Sequence, residues 1–314
     1  MKIDSIKNLI HKIEYRKYLK NLNSIRINKT VNILDQIDSI ISSKNYLFEC
    51  GVSSNSNYGI GVIIPADWET EVIEKSCGKL FILYGSNYSI CSKILEKLHG
   101  KFHNNIFWIQ YDSQLSDPYV EIALENYGYH IATQYYQWLG KVENINIELL
   151  DFSDRYDTSL ASKADADEVI ALTNKFPGPG RFVSDPFIKS EGIKLYANWA
   201  YNSCINKTDS EKVLICKINN KIVGYETISF NNHNEANLGI LRIDSQYAGK
   251  LLGYSILASS IKFAIDRGVD IIKTRTSKFN ISVNKIYTNL GFTLSDSSIQ
   301  FHWINNDYQQ KSSL

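Results

Sequence analysis

The sequence predicts an α/β (α+β) protein made of two halves of related fold, each a mixed central sheet flanked by helices. Three observations carry that prediction. Segments of strand period alternate with segments of helix period, a weak internal repeat spans both halves, and an aperiodic stretch separates them. The repeat pairs LEKLHGKFHNNIFWIQYDSQLSDPYVEIALENYGYHIATQYYQW, ending at Trp138, with IKFAIDRGVDIIKTRTSKFNISVNKIYTNLGFTLSDSSIQFHW, ending at Trp303. Each copy reads as helix, buried strand, polar turn, short helix, a glycine-aromatic corner and a final strand. Asp117 stands seven residues before Leu124 in the first copy, as Asn280 stands seven before Tyr287 in the second. Between the halves LLDFSDRYDTSLASKADA loses all periodicity, which sets a boundary near residues 148–160 and two domains, 1–150 and 151–314.

The elements of the second half follow in order. ADADEVIALTNKF opens a helix, with Asp165 or Asp167 suited to its N-terminal end. A proline- and glycine-bearing loop, FPGPGRFVSDPF, leads to a helix over IKSEGIKLYANWAYNSCI, where Ile193, Tyr196, Ala197 and Ala200 fall at helical spacing. The strands VLICKIN, KIVGYETISF and ANLGILRID come next, the first two joined by an Asn-Asn turn. LLGYSILASSIKFAIDRG is an amphipathic helix with Gly268 as its C′ residue, VDIIKTRT a strand, and NISVNKIYTNLG a short helix capped at Asn280.

Composition excludes several classes. Apolar residues make up 44% of the 314 and charged residues 21%, ordinary for a folded protein, and a formal net charge of +1 gives no global attraction to nucleic acid or anionic membrane. Any phosphate-bearing ligand must be held by local groups. The five cysteines (Cys50, Cys77, Cys91, Cys204, Cys216) are scattered without CxxC spacing, so they read as reduced thiols and no metal is expected. The first residues, MKIDSIKNLIHKIEYRKYLK, lack the apolar core of a signal peptide. No apolar run approaches the ~20 residues of a membrane span. The expected location is the cytoplasm.

The order strand (ANLGILRID), turn (SQYAGKLLG), long helix outlines a phosphate site. A helix N-terminus offers unpaired N–H groups and a positive dipole end, and glycine lets the backbone approach an anion. Taken alone, GKLLG serves equally well as a tight turn into a helix. With DIIKTRT and NISVNKIYTNLGF after it, the run resembles the GNAT superfamily of acyl-CoA-dependent N-acyltransferases. The resemblance implies tandem GNAT-like halves and an acyl-CoA cosubstrate, acetyl or another short chain. It implies that the loop of Ala248, Gly249, Lys250, Leu251, Leu252 and Gly253 binds the CoA pyrophosphate through backbone amides. The strand carrying Leu241, Arg242 and Ile243 would splay from its neighbour and pair with the pantetheine arm, which Asn280 would contact. Tyr287 would protonate the departing thiolate, a task that suits a phenol protonated at neutral pH. Two positions depart from the family pattern: Ala248 replaces an arginine and Leu251 a glycine. The leucine predicts either ordinary helical angles there or altered CoA binding. In the first copy the matching positions are Leu124 and Asp117, and the turn after KLFILYGS has no counterpart of Gly249 or Gly253. That half is expected to be degenerate and structural, shaping the acceptor cleft of the second.

RFVSDPFIKSEGIKLYANWAYNS further resembles the family of dTDP-fucosamine acetyltransferase and related sugar-nucleotide N-acyltransferases, through Arg181, Phe182, Asp185, Pro186, Leu195, Tyr196 and Trp199. The resemblance implies a nucleotide-linked amino sugar as acceptor, as used in surface polysaccharide or O-antigen biosynthesis, with Arg181, Phe182, Asp185, Tyr196 and Trp199 on the substrate. Arg181 suits a diphosphate through its planar fork, and Asp185 a sugar hydroxyl or ammonium. The plainer alternative pairs Arg181 with Asp185 and sends Tyr196 and Trp199 to the core. Glu226, Glu235, His302 or a water chain are candidates for the general base. Two other readings stand beside the sugar: a tandem GNAT transferase acting on peptidoglycan precursors, small thiols or protein amines, and a binding module that has lost CoA. The apolar surfaces fit burial against the first half or against a partner chain equally.

Overall fold

The structure, a computed structural model, describes residues 48–53, 57–102, 105–113, 117–205, 210–231 and 234–308. The amino-terminal segment MKIDSIKNLIHKIEYRKYLK and the side chain of Cys50, on which two of the expectations above rest, lie outside what is described. The chain divides into two compact units, one running to Ile131 and resuming at Phe301–Leu314, the other Ala132–Gln300. The boundary read near residues 148–160 falls on a 3-10 helix, Ile147–Arg155, inside the second unit.

The first unit holds β1 (Phe48–Ser53), β2 (Tyr58–Pro65), α1 (Asp67–Ile73), β3 (Cys77–Gly85), α2 (Tyr88–Phe102), β4 (Trp108–Ser113) and α3 (Pro118–Asn126). β1, β2 and β3 are antiparallel neighbours and β4 joins β3 in parallel. Asp117 caps α3, its carboxylate accepting from the amide of Tyr119 at 3.1 Å, and Pro118 occupies the first turn. Leu124, the counterpart of Tyr287 in the repeat, is wholly buried.

In the second unit the strand order is β11-β5-β10-β9-β8-β7-β6, from β5 (His130–Lys141), β6 (Thr158–Leu160), β7 (Glu211–Ile218), β8 (Lys221–Phe230), β9 (Glu235–Ile243), β10 (Ile271–Ser277) and β11 (Thr293–Ile304). Its helices are α4 (Ala166–Lys175), α5 (Lys189–Ile205), α6 (Leu252–Asp266) and α7 (Ile281–Asn289). Local chemistry accounts for the joins. Asn219 and Asn220 both take positive φ, 51° and 59°, the requirement of the tight turn that links β7 to β8. Gly268, at φ 79°, closes α6 in a Schellman arrangement, Val269 N–H reaching Ala264 O and Gly268 N–H reaching Ile265 O.

Strand alternation sorts the two faces of this sheet. Tyr225 of β8 points to α4, where its hydroxyl meets Thr173 at 2.7 Å. Gly224 and Ile228 point to α6, Gly224 leaving room for Ile256 and Ile228 joining the core of Leu257, Ala258, Ile261 and Ile272. β10 pairs with β9 in parallel only over Ile271↔Glu235 to Thr274↔Leu238. Beyond that pair β9 remains laddered to β8 and β10 to β5, so the two strands part. Cys77, Cys91, Cys204 and Cys216 are buried, and no disulfide joins them. No helix among the described residues is long and apolar enough to cross a membrane.

Candidate active site

The parting of β9 and β10 opens a cleft of about 970 Å³ within the second unit. One wall is Leu238 to Ile243 of β9, the other Thr274 to Ser277 of β10. The N-terminal ends of α6 and α7 and the loop Phe176–Gly180 complete it. The splay expected at Leu241, Arg242 and Ile243 is therefore present, and all three residues line the cleft.

The α6 end offers its backbone N–H groups to the cleft. Gly249 has φ 75° and Leu251 φ 64° with ψ 11°, both left-handed. Leu251 thus keeps the backbone a glycine would adopt instead of the ordinary helical angles offered as one outcome. The conformation costs a leucine roughly 1–2 kcal/mol. Its side chain turns outward and is 43% exposed. Helical bonding begins with Ser255 N–H to Leu251 O, leaving the N–H groups of the first turn without intrahelical partners. Gly249, Leu251, Leu252 and Gly253 line the cleft. Ala248 and Lys250 do not, which corrects their assignment to the ligand surface. Lys250 turns its carbonyl to the Tyr156 hydroxyl at 3.0 Å and its ammonium over the Tyr247 ring. Leu251→Gly is expected to raise stability by about 0.5–1 kcal/mol, the strain relieved less the backbone entropy of glycine. Urea unfolding at unchanged acetyl-CoA affinity checks this, and a less stable variant would contradict the left-handed geometry.

Tyr287, on α7, is 3% exposed and lines the cleft floor. Its hydroxyl lies 3.2 Å from Thr274 Oγ1, which itself stands 3.1 Å from Leu238 O. Because the Thr274 hydroxyl donates to that carbonyl, the phenol is the donor to Thr274. The proton is therefore held at the last pair of the β9–β10 ladder, where the strands part. Burial, and then the neighbouring Glu226, push the phenol above its ordinary range, so it stays protonated at neutral pH. Trp138 of β5 packs at 6.1 Å and Phe292 at 5.3 Å, while the Trp138 indole donates to Asn284 of α7 at 2.9 Å. Asn280 occupies the N-cap position of α7 but makes no capping bond; its amide lies 3.4 Å from Thr276 Oγ1 on the cleft.

None of Glu226, Glu235 and His302, the side chains considered as general base, lines this cleft. Glu226 faces α6, 1% exposed, with burial raising its carboxyl to about 7 and Ser260 beside it acting the other way. His302 belongs to the first unit, buried against Trp108 with ring centroids 4.9 Å apart. The reason is strand alternation and register: one side chain points to the helix-covered face, and the other lies past the point where β11 leaves the second unit. Glu235 forms a 2.7 Å ion pair with Lys273.

The acceptor loop divides. Arg181, Tyr196 and Trp199 line the cleft. Phe182 is wholly buried in the core, and Asp185, 1% exposed, accepts from the Phe187 amide at 2.9 Å. These two positions are corrected from substrate contacts to local structure. Arg181 does not need Asp185 for its place: its backbone N–H donates to the Tyr135 hydroxyl at 2.6 Å and its guanidinium lies over Phe182 at 4.4 Å. Gly192 of α5 sits against the Phe182 carbonyl so closely that a Cβ would overlap it. Gly192→Ala is expected to destabilise the fold by roughly 2 kcal/mol through overpacking, read by thermal unfolding.

Several lining residues escaped sequence reasoning. Tyr135 of β5 is one, with the Arg275 guanidinium 4.0 Å from its ring centroid. Arg242, expected on the splayed strand, is held over Tyr196 at 5.1 Å, its Nη1 donating to Leu241 O at 2.8 Å. Arg181 and Arg242 both line the cleft, and their buried Nε atoms have no hydrogen-bond partner among the described residues. That surface favours an anionic ligand.

Residues 181–292 match the Acetyltransferase (GNAT) family. The spore coat polysaccharide biosynthesis protein SpsD of Bacillus subtilis (strain 168) is 18% identical over 267 residues, 82% of this chain and 88% of that protein. A GCN5-related N-acetyltransferase from Kribbella flavida superposes with a TM-score of 0.52 at 11% identity, covering 85% of this chain and 94% of that one. A tandem GNAT protein from the clavulanic acid biosynthesis pathway gives 0.50 at 11% identity, covering 83% of each chain.

Proposed function

Residues 181–292 are a GNAT acetyltransferase domain, and from that premise we propose that this N-acyltransferase acylates the amino group of a nucleotide-linked, dTDP-linked, amino-deoxy sugar. The observation that carries the reading is the Tyr287 phenol bonded to Thr274, on the pair where β9 and β10 part. In the reaction the free amine attacks the thioester carbonyl carbon and the C–S bond breaks. Tyr287 gives its proton to the departing sulfur, and the nitrogen loses one proton, which returns to the phenol through water. The first turn of α6 takes the pyrophosphate of acyl-CoA through its amides. On this reading the first half of the chain is structural.

Support for a sugar nucleotide comes from the polysaccharide biosynthesis named for SpsD, and from the chemistry of the cleft. Arg181 brings a guanidinium to the cleft lining, which suits a diphosphate, and Trp199, 36% exposed, offers a flat apolar surface. The reading as a module that has lost CoA is weakened by Leu251, whose backbone keeps the glycine conformation.

The test is thiol release from acetyl-CoA against dTDP- and UDP-linked 3-amino and 4-amino sugars. Turnover with a dTDP-linked member is expected. Silence on every sugar, alongside turnover of an aminoacyl or peptide amine, would overturn the proposal.

A further inference from the structure

A second cavity in the same unit, about 320 Å³, shares Trp199, Leu238, Gly239, Thr274 and Arg275 with the cleft. It therefore reaches the place where β9 and β10 part and where Tyr287 holds its proton. Its floor is a row set by strand register. Glu211 pairs with Ser229, Ser229 with Asn237, and Asn237 with Lys273, so four polar side chains from neighbouring strands stand side by side on the α5-facing surface. Gln137, register partner of Arg275, continues the floor onto β5. Trp199 of α5 is the aromatic wall.

The side chains of Gln137, Glu211, Ser229 and Asn237 make no hydrogen bond or ion pair among the described residues, although all four line one cavity. An apolar ligand would leave this row unsatisfied on burial. A cation alone would meet Lys273 and Arg275. A pyranose satisfies the whole set: amides and a hydroxyl bond its hydroxyls, its apolar face lies on the indole, and Glu211 adds the carboxylate an amino sugar favours. We infer that this cavity holds the amino-sugar ring of the acceptor, with Asn237 and Gln137 selecting its hydroxyl pattern and Trp199 stacking on its face.

The inference rests on the sugar-nucleotide reading above and gives that acceptor an address. It is tested with Asn237→Ala, Gln137→Ala and Trp199→Leu, using the panel sugar of highest turnover and, as fold control, equilibrium binding of acetyl-CoA. The expected result is an acceptor KM raised about 5- to 10-fold in each polar variant and more in Trp199→Leu, with acetyl-CoA affinity within twofold of the parent. Asn237 is exposed on its strand, so its truncation leaves the core intact and keeps the test informative if another variant fails to fold. An unchanged acceptor KM in Asn237→Ala and Gln137→Ala, with sugar turnover intact, overturns the cavity assignment and leaves the sugar reading standing. No sugar turnover in the parent protein overturns both.

Discussion

Tyr287→Phe is expected to lower kcat about 100-fold while leaving acetyl-CoA affinity unchanged. The substitution removes one oxygen and keeps the ring that packs against Trp138 and Phe292, so the floor of the cleft retains its shape. What is lost is the donor at Thr274, worth about 1 kcal/mol to stability as a hydrogen bond, and the proton for the leaving sulfur. Since burial and Glu226 hold the phenol above its ordinary range, the parent enzyme is also expected to show no loss of activity from tyrosine ionisation at pH 8 to 9. Single-turnover thiol release in the two proteins reads the first effect directly. Equal rates would remove Tyr287 from the mechanism and return the departing sulfur to protonation by water.

Glu226→Gln is expected to give the second large effect, on stability and with a definite pH dependence. Burial raises the Glu226 carboxyl to about 7, above the value it has in the unfolded chain. A group raised on folding contributes stability that is fully present below its unfolded pKa and is lost as pH rises through its folded pKa. The parent protein therefore weakens from about pH 5 to above pH 7, and glutamine, which cannot ionise, does not. At pH 8.5 the variant is expected to be more stable by up to about 3 kcal/mol, from 1.36 kcal/mol per pKa unit. That corresponds to a Tm higher by roughly 5–10 °C. Below about pH 4 the two curves converge, since both states then hold the proton. A Tm difference that is absent at pH 8.5, or equal at both pH values, would mean that the carboxylate has found solvent or a counter-ion.

Much of the second unit was legible in the sequence because its determinants are local. The Asn-Asn turn, the Gly268 cap and the strand KIVGYETISF each depend on a few consecutive residues, and the structure has them in place. Of the positions read through family resemblance, Leu241, Arg242, Ile243, Gly249, Leu251, Leu252, Gly253, Asn280 and Tyr287 line the cleft, whereas Ala248 and Lys250 do not. What escaped depends on contacts distant in sequence. Tyr135 reaches the cleft because β5 pairs with β10, more than a hundred positions along the chain, and no local pattern marks that partnership. His302 was a plausible base by its chemistry, yet β11 runs on into the first unit before reaching it. Phe182 and Asp185 carry the residue types of a ligand loop, but Gly192 lets α5 pack against the Phe182 backbone, and both side chains are buried. Leu251 illustrates the converse. Its side chain argued against the loop conformation, and the surrounding turn imposes that conformation at the cost of strain.

The central claim is that the cleft between β9 and β10, entered at the first turn of α6, is an acyl-CoA site. An equilibrium titration of the full chain with acetyl-CoA tests it most directly. The expected result is saturable 1:1 binding with Kd in the range of roughly 1 μM to 1 mM, typical of enzyme substrates. Binding retained in Tyr287→Phe would separate the site from the proton donor. No binding up to millimolar acetyl-CoA would contradict the account, and the cofactor site, the acyl transfer and the sugar acceptor would fall together.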